Sequence, residues 1–136
     1  MKARTMRRIY RREAAVMLVL ARLAVRLVPP ARLFAWVDRP PRRINRFAAD
    51  EARWVSWAVE SVGAASAMNA LCLPRALAAH AMLRRRGIAS RLCLGVAREG
   101  PAIAAHAWVE LGNDKIVGGA AAEGFTRLAA FGGAGR

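Results

Sequence analysis

The chain has 136 residues and a net charge of +14, a length that corresponds to a single domain with a hydrophobic core of ordinary size. Its two cysteines are too few for a disulfide framework, and no metal-ligand spacing surrounds them. We therefore expect a reducing, cytoplasmic setting, with no metal and no cofactor. The basic side chains are mainly arginine and are spread along the chain, a distribution that argues against a dedicated nucleic-acid-binding stripe.

The first predicted element is an amphipathic helix at residues 14–28, AAVMLVLARLAVRLV. Its uncharged run ends at Arg22, and Arg26 follows one turn later, so the segment falls short of the roughly 20 apolar residues that span a bilayer. The face predicted to pack on the domain or on a partner consists of Leu20, Leu23, Ala24 and Leu27.

Two proline pairs mark residues 29–49 as a connection that carries a short helical piece. A second long helix is predicted from Asp50, with Trp54 and Trp57 at helical spacing and expected in the core. We predict two parts on this basis: an N-terminal helical, partner-docking segment at 1–49 and a core at 50–136.

The helix with the strongest sequence signals is predicted from Leu73 to Arg86. Pro74 suits the first turn, where a missing N–H costs nothing, and three arginines before Gly87 suit the negative end of the helix dipole. Gly87 is the predicted residue that ends the helix in a left-handed conformation.

Three strands follow this helix, at residues 88–97, 105–111 and 115–119. In the first of them, Ile88, Leu92 and Val96 fall on one face, as in a half-buried strand, and Gly100-Pro101 and the segment GND at 112–114 supply the turns. Helices followed by an antiparallel meander predict the α+β class.

Cys72 stands directly in front of the predicted helix, at the positive end of its dipole. A helix N-terminus lowers the pKa of a thiol and offers free N–H groups to an oxyanion, so Cys72 is the candidate nucleophile. Cys93 lies in the middle of a predicted strand, without such a terminus, and is expected to be a packed thiol.

Only two histidines are available as a general base. His80 lies eight residues after Cys72 on the same helix, about 12 Å along the axis, which is too far for a thiol–imidazole hydrogen bond. It is expected to be a residue of the helix face. His106, on a separate strand with Trp108 and Glu110 on the same side, is the candidate base.

The segment CLPRALAAHAMLRRRGIASRLCLGV at 72–96, followed by AHAWVEL at 105–111, resembles a known family. It is similar to the transglutaminase-like cysteine peptidases of lasso-peptide biosynthesis, specifically the stand-alone leader peptidase, the second of the two split B-type proteins. The resemblance covers residues 54–128 and includes FTRL at 125–128. The combination of a cysteine-led helix and a His-Ala-Trp strand is specific, whereas either half alone is weak.

The resemblance implies a transglutaminase-like or papain-like core, with Cys72 as nucleophile and His106 as general base. It implies that the chain removes the leader from a precursor peptide. The implied partners are that precursor, a separate leader-recognition protein and an ATP-dependent lasso cyclase, with no nucleic acid and no membrane span. For the leader-recognition protein, the candidate docking surface is the first helix with Phe34 and Trp36.

The family's third catalytic residue does not carry over to this chain. In the family an acidic residue on the returning strand orients the imidazole, but Gly118 and Gly119 stand at those positions here. Asp114 lies in the turn, and Glu123 follows in a stretch rich in Ala and Gly. A backbone carbonyl or an asparagine could orient His106 instead, Glu123 could fold back, or this copy could be slow or inactive.

Three other functions remain open from the sequence. A transglutaminase-like core also supports acyl transfer to an amine, with the same two residues. The missing acid is compatible with an inactive peptide-binding module. The charge alone suggests a nucleic-acid binder, although no nucleic-acid-binding motif is recognisable.

Overall fold

The computed structural model describes residues 2–45, 49–65, 72–119 and 122–133, which form four helices followed by a four-stranded sheet. The helices are α1 (Ala3–Leu27), α2 (Pro30–Asp38), α3 (Ala49–Ala65) and α4 (Cys72–Arg85). The strands are β1 (Arg91–Glu99), β2 (Ala102–Leu111), β3 (Asp114–Val117) and β4 (Thr126–Gly132). The α+β class predicted from the sequence is confirmed.

The sheet is antiparallel, with the strand order β3-β2-β1-β4. Its first three strands form the predicted meander, with Gly100 and Gly112 in the left-handed conformation at the two turns. The fourth strand was not predicted, because the sequence TRLAAFG contains few residues that favour strands. It forms along the edge of β1 that β2 leaves open, so pairing rather than intrinsic propensity creates it.

The helices cover one face of this sheet and enclose the main core. That core joins Leu92 of β1 and Val109 of β2 to Val55 of α3 and Leu83 of α4. Side chains of alternate strand residues point to the opposite face, where a small second cluster contains Cys93 and Trp108. The two faces of the sheet therefore have different neighbours, which determines where each candidate residue can reach.

Helix α4 is buried along almost its whole length and packs against α1, α3 and β2. The alanines at 76, 78 and 79 allow these elements to approach its backbone closely. Pro74 lies in its first turn, and Gly87, with φ +75°, follows its last turn as predicted. The N–H of Ile88 bonds to the carbonyl of Leu83 at 2.9 Å, which satisfies a terminal carbonyl of the helix.

Helix α1 packs on α3 and α4 through a different face from the predicted one. Its buried residues are Tyr10, Ala14, Leu18 and Ala21. In contrast, Leu20 is 52 % exposed and Leu27 is 76 % exposed, so these leucines do not pack on the domain, and the alternative that their face packs on a partner stays a prediction. The helix is apolar on more than one side, and its contacts with α3 and α4 decide which side is buried. No helix in the described ranges is long and apolar enough to cross a bilayer.

A partly buried ion pair fixes α1 against the end of α4. The carboxylate of Glu13 accepts hydrogen bonds from Arg86 and, at 2.9 Å, from Arg85. Burial alone would raise the pKa of Glu13, but the hydrogen bond from Arg86 and the charges of both arginines lower it. The carboxylate is therefore ionised and anchors the two helices together.

Helix α2 is attached to the sheet and to α4 by aromatic and polar contacts. Phe34 is half-buried and stacks on Phe131 of β4, with ring centroids 4.6 Å apart, so only part of its ring remains for the predicted docking of a partner, which stays a prediction. Asp38 accepts a hydrogen bond from the N–H of Gly132 at 2.9 Å. Trp36 remains partly exposed and lies under the guanidinium of Arg84, 4.8 Å from the ring centroid.

The tryptophans of α3 lie at the border of the core rather than at its centre. Trp54 stacks on Tyr10 of α1, with ring centroids 5.8 Å apart, as expected of a core-facing residue. Trp57 is 38 % exposed and outside the core, so its predicted place there was wrong. Ala58 and Val59, next to it, are fully buried.

His80 is buried at 3 % exposure and uses both ring nitrogens structurally. Its Nε2 donates to the carbonyl of Val37 at 3.0 Å, because a carbonyl can only accept. Its Nδ1 then accepts from the hydroxyl of Ser90 at 2.8 Å. The neutral imidazole thus joins α2, α4 and the start of β1, and it has no ring nitrogen left for catalysis.

We predict that this histidine makes the fold sensitive to acid. Burial, opposed by the Val37 hydrogen bond and assisted by the charge of Arg84, lowers the pKa of His80 from 6.5 to about 4. Between these two pKa values, His80 is protonated in the unfolded chain and neutral in the folded chain. The free energy of unfolding is therefore undiminished above pH 6.5 and falls as the pH approaches 4. The loss amounts to about 3 kcal/mol, measurable by urea unfolding at a series of pH values.

The control for this prediction separates His80 from the carboxylates that titrate nearby. In the His80→Gln variant, the pH dependence of the free energy of unfolding should decrease by the amount due to one proton. In His106→Gln it should be unchanged. An unchanged pH dependence in His80→Gln would contradict the assignment.

Candidate active site

Cys72 is the first residue of α4 and is half-buried against the main core. It was predicted directly in front of the helix, so the structure moves it by one position into the first turn. At 100° per residue it lies on the same helical face as Ala76, Ala79 and Leu83, all of which are fully buried. The sulfur is thus on the interior side of the helix, close to the N–H groups that the first turn leaves unpaired by the helix itself.

His106 lies on β2 and is half-buried. Its ring stacks beside Trp108, with centroids 6.0 Å apart, and lies 5.3 Å from the ring of Phe125. The common side of His106 and Trp108 was predicted from strand alternation. The contribution of Phe125 was not, because it comes from a segment whose position depends on the pairing of β4 with β1.

The orientation of the His106 ring is fixed by one hydrogen bond. Nε2 lies 3.0 Å from the carbonyl oxygen of Gly118. Because a carbonyl has no proton to give, Nε2 carries the hydrogen and the lone pair of the neutral ring is on Nδ1. The imidazole is therefore held in the tautomer that can accept a proton at Nδ1, as a general base must.

The backbone of Gly118 thus bonds to His106 at the sequence position where the family that this chain resembles has a carboxylate. Three carboxylates could have oriented His106 instead. Two of them, Asp114 and Glu123, are exposed, and the third, Glu110, has other partners. Glu110 accepts hydrogen bonds from Trp108 at 3.2 Å and from Arg91 and Arg127 at 3.3 Å. Among the alternatives left open by the sequence, the described contacts favour the backbone carbonyl.

Glycine is required at position 118 for two physical reasons. Its φ of +72° is one that residues with a side chain rarely adopt. An added Cβ would also lie 3.3 Å from Nε2 of His106 and 3.1 Å from the carbonyl oxygen of Ala107. The position that lacks an acid is therefore shaped to bring a carbonyl, rather than a side chain, to the imidazole.

The structure brings the elements of the two candidate residues together, since α4 packs on β2. The helices cover the face of β2 that carries Ala107 and Val109, whereas the ring of His106 lies on the Trp108 face. The edge of β2 along the part that precedes Val109, including His106, has no β3 partner in the described ladder. A thiol–imidazole contact has to form around that edge, and it stays a prediction.

Cys93 is fully buried in the second cluster, as predicted. Burial raises the pKa of its thiol, and the neighbouring charge of Glu110 raises it further. A thiol that is buried and protonated reacts slowly, so Cys93 is a packing residue. Within the described ranges, no group of three or more His, Cys, Asp or Glu side chains could hold a metal ion.

Comparison with models of known protein families gives a match over most of the chain. The family model described as "Transglutaminase-like superfamily" matches residues 15–130, which is most of the chain. No curated protein and no solved structure matches. The match begins inside α1, so it includes most of the N-terminal helices as well as the segment with Cys72 and His106.

We predict that the two thiols differ in reactivity. A soluble alkylating agent should modify Cys72 and leave Cys93 unmodified in the folded protein, because Cys93 is buried and its pKa is raised. Mass spectrometry of peptides after brief iodoacetamide treatment measures this directly. If His106 assists the thiol, His106→Ala should slow alkylation of Cys72 by roughly tenfold, whereas His80→Gln should not.

Proposed function

The chain belongs to the transglutaminase-like superfamily, and we propose that it is a cysteine peptidase that cleaves the leader from a lasso-peptide precursor. The observation that carries the proposal is the hydrogen bond from His106 to Gly118, which leaves Nδ1 free to accept a proton. Further support is the resemblance of residues 54–128 to the leader peptidases. The proposed setting is cytoplasmic, since both cysteines are free thiols.

In the proposed reaction, Nδ1 of His106 removes the proton from the Cys72 thiol, and the thiolate attacks the scissile carbonyl. N–H groups of the first turn of α4 stabilise the oxyanion of the tetrahedral intermediate. The protonated imidazole then gives its proton to the departing amine of the core peptide. Water, activated by the same imidazole, hydrolyses the thioester and releases the leader as a free acid.

The Gly118 carbonyl performs part of the task that a carboxylate performs in a triad. It selects the tautomer and holds the ring between Trp108 and Phe125. It carries no full negative charge, so it stabilises the imidazolium less than a carboxylate would. We therefore expect a functional but slow enzyme.

The proposed partners are the precursor peptide, a separate leader-recognition protein and the lasso cyclase. Residues 1–49 are the proposed docking segment, and α1 offers a row of exposed apolar side chains for it: Val16, Val19, Leu23 and Leu27. Deleting this segment would not test the proposal, because Tyr10 and Val37 are part of the core. Serine substitutions at the exposed positions leave the core intact and test it directly.

Acyl transfer to an amine is the second candidate activity, since the superfamily supports it and the same two residues would serve. An inactive peptide-binding module is the third, and the neutral partner of His106 is the observation that favours it. The product distinguishes the first two: hydrolysis gives a free leader acid, whereas transfer gives a crosslinked mass. Absence of both products identifies the third.

We predict opposite outcomes for the two cysteine variants. Cys72→Ala should abolish cleavage of a lasso precursor in the presence of its leader-recognition protein, and Cys93→Ala should retain it, because only Cys72 stands at a helix start. Mass spectrometry of the reaction mixture measures both. Equal loss in the two folded variants would contradict the assignment of the nucleophile.

We also predict that Gly118→Ala slows the reaction between about tenfold and a hundredfold, since the new Cβ displaces the imidazole. Gly124→Ala is the matched control: its φ is +81°, so its backbone strain is similar, but no atom lies within 4 Å of the added Cβ. Comparing single-turnover rates and melting temperatures separates displacement from instability. Equal rates in the two variants would remove Gly118 from the site.

A further inference from the structure

A groove of about 820 Å³ lies between α1, α2 and α4, away from the candidate active site. Its floor is apolar and includes Leu20 and Ala24 of α1, Leu33 of α2, and Leu77 and Ala81 of α4. On α4, Leu77 and Ala81 are 140° to 180° around the helix from Cys72, at about 100° per residue. The groove is thus on the side of α4 opposite to Cys72, and Cys72 does not line it.

The rim of the groove is strongly basic. It is lined by Arg32, Arg42, Arg43, Arg84 and Arg85, and by no acidic residue among those that the structure describes. Only Arg85 of these five makes a salt bridge in the described ranges, to Glu13 at 2.9 Å. Burial and the charges of Arg39 and Arg42 lower the pKa of Arg84, as expected where cations are crowded together.

The chemistry of floor and rim defines the ligand. We infer that this groove binds an acidic amphipathic peptide helix, whose apolar face lies on the floor and whose carboxylates pair with the rim arginines. Guanidinium groups match carboxylates in two-point hydrogen bonds, and an apolar groove between helices is a common docking site for a helix with one apolar face. The pair formed by Arg85 and Glu13 shows one rim arginine already binding a carboxylate of this chain.

Other occupants fit the groove less well. A second copy of the chain carries the same charge of +14 and would be repelled from the rim. Nucleic acid would pair its phosphates with the arginines but would leave the apolar floor uncovered. A flat anionic membrane would reach the rim and not the concave floor, where Leu20 is half exposed.

Binding can be measured by fluorescence anisotropy at physiological salt with the full chain. The probe is a labelled model peptide of roughly four helical turns, with leucine on one face and glutamate on the others. We expect the peptide to bind the chain. A peptide with lysine in place of glutamate, and an acidic peptide with serine in place of leucine, should not bind.

Two matched pairs of variants locate the site. Arg32→Glu/Arg42→Glu should weaken binding by about tenfold or more, whereas Arg4→Glu/Arg98→Glu, with the same change in net charge at exposed positions outside the groove, should not. Leu20→Ser should weaken binding, whereas Leu128→Ser, at a position on β4 that is also exposed, should not. Melting temperatures of all four variants verify that they are folded.

The proposal is overturned by any of three results. The first is equal affinity for the acidic peptides with leucine and with serine, which indicates unspecific charge attraction. The second is equal loss in the groove variants and their matched controls. The third is binding to vesicles of anionic lipid, reduced by the Arg32 and Arg42 changes, with no binding of the acidic peptide.

Discussion

The architecture depends on the burial of α4 against helices on one side and β2 on the other. A helix can be enclosed in this way only if its side chains are small or apolar, and α4 has alanine at 76, 78 and 79. Its single buried imidazole, His80, is neutral and has both ring nitrogens bonded. Because its position is fixed by packing, α4 holds Cys72 at the start of a rigid helix, and the same helix packs on β2, the strand that carries His106.

The candidate base shows how a backbone group can take part of a side chain's role. A tautomer is selected by any acceptor at Nε2, and the carbonyl of Gly118 is such an acceptor. What a carbonyl cannot supply is a full charge to balance the imidazolium. In this chain, one group can therefore fix the tautomer and position of the His106 ring without balancing the charge of the imidazolium. The absence of an acid weakens only the stabilisation of that charge.

The excess of arginine is divided into groups with different surroundings. Arg85 and Arg86 bind Glu13, and Arg91 and Arg127 share Glu110, so these cations have structural partners. The other four arginines at the rim of the groove, at 32, 42, 43 and 84, lie above an apolar floor, and burial and the charges of Arg39 and Arg42 lower the pKa of Arg84. Total charge, which pointed to no particular partner, thus becomes informative once its distribution in space is known.

The sequence by itself determined the elements with strong local signals: Pro74 and Gly87 bounded α4, and strand alternation placed His106 and Trp108 on one side. These features depend on neighbours in the chain, as does the distinction between Cys72 at a helix start and Cys93 within a strand. Tertiary structure alone decided the buried face of α1, the formation of β4 and the partner of His106. Each depends on residues distant in sequence: Phe125 reaches the imidazole only because β4 pairs with β1, and the orienting group is a carbonyl that every residue has. A local pattern cannot distinguish one carbonyl from another, so only the folded chain could identify it.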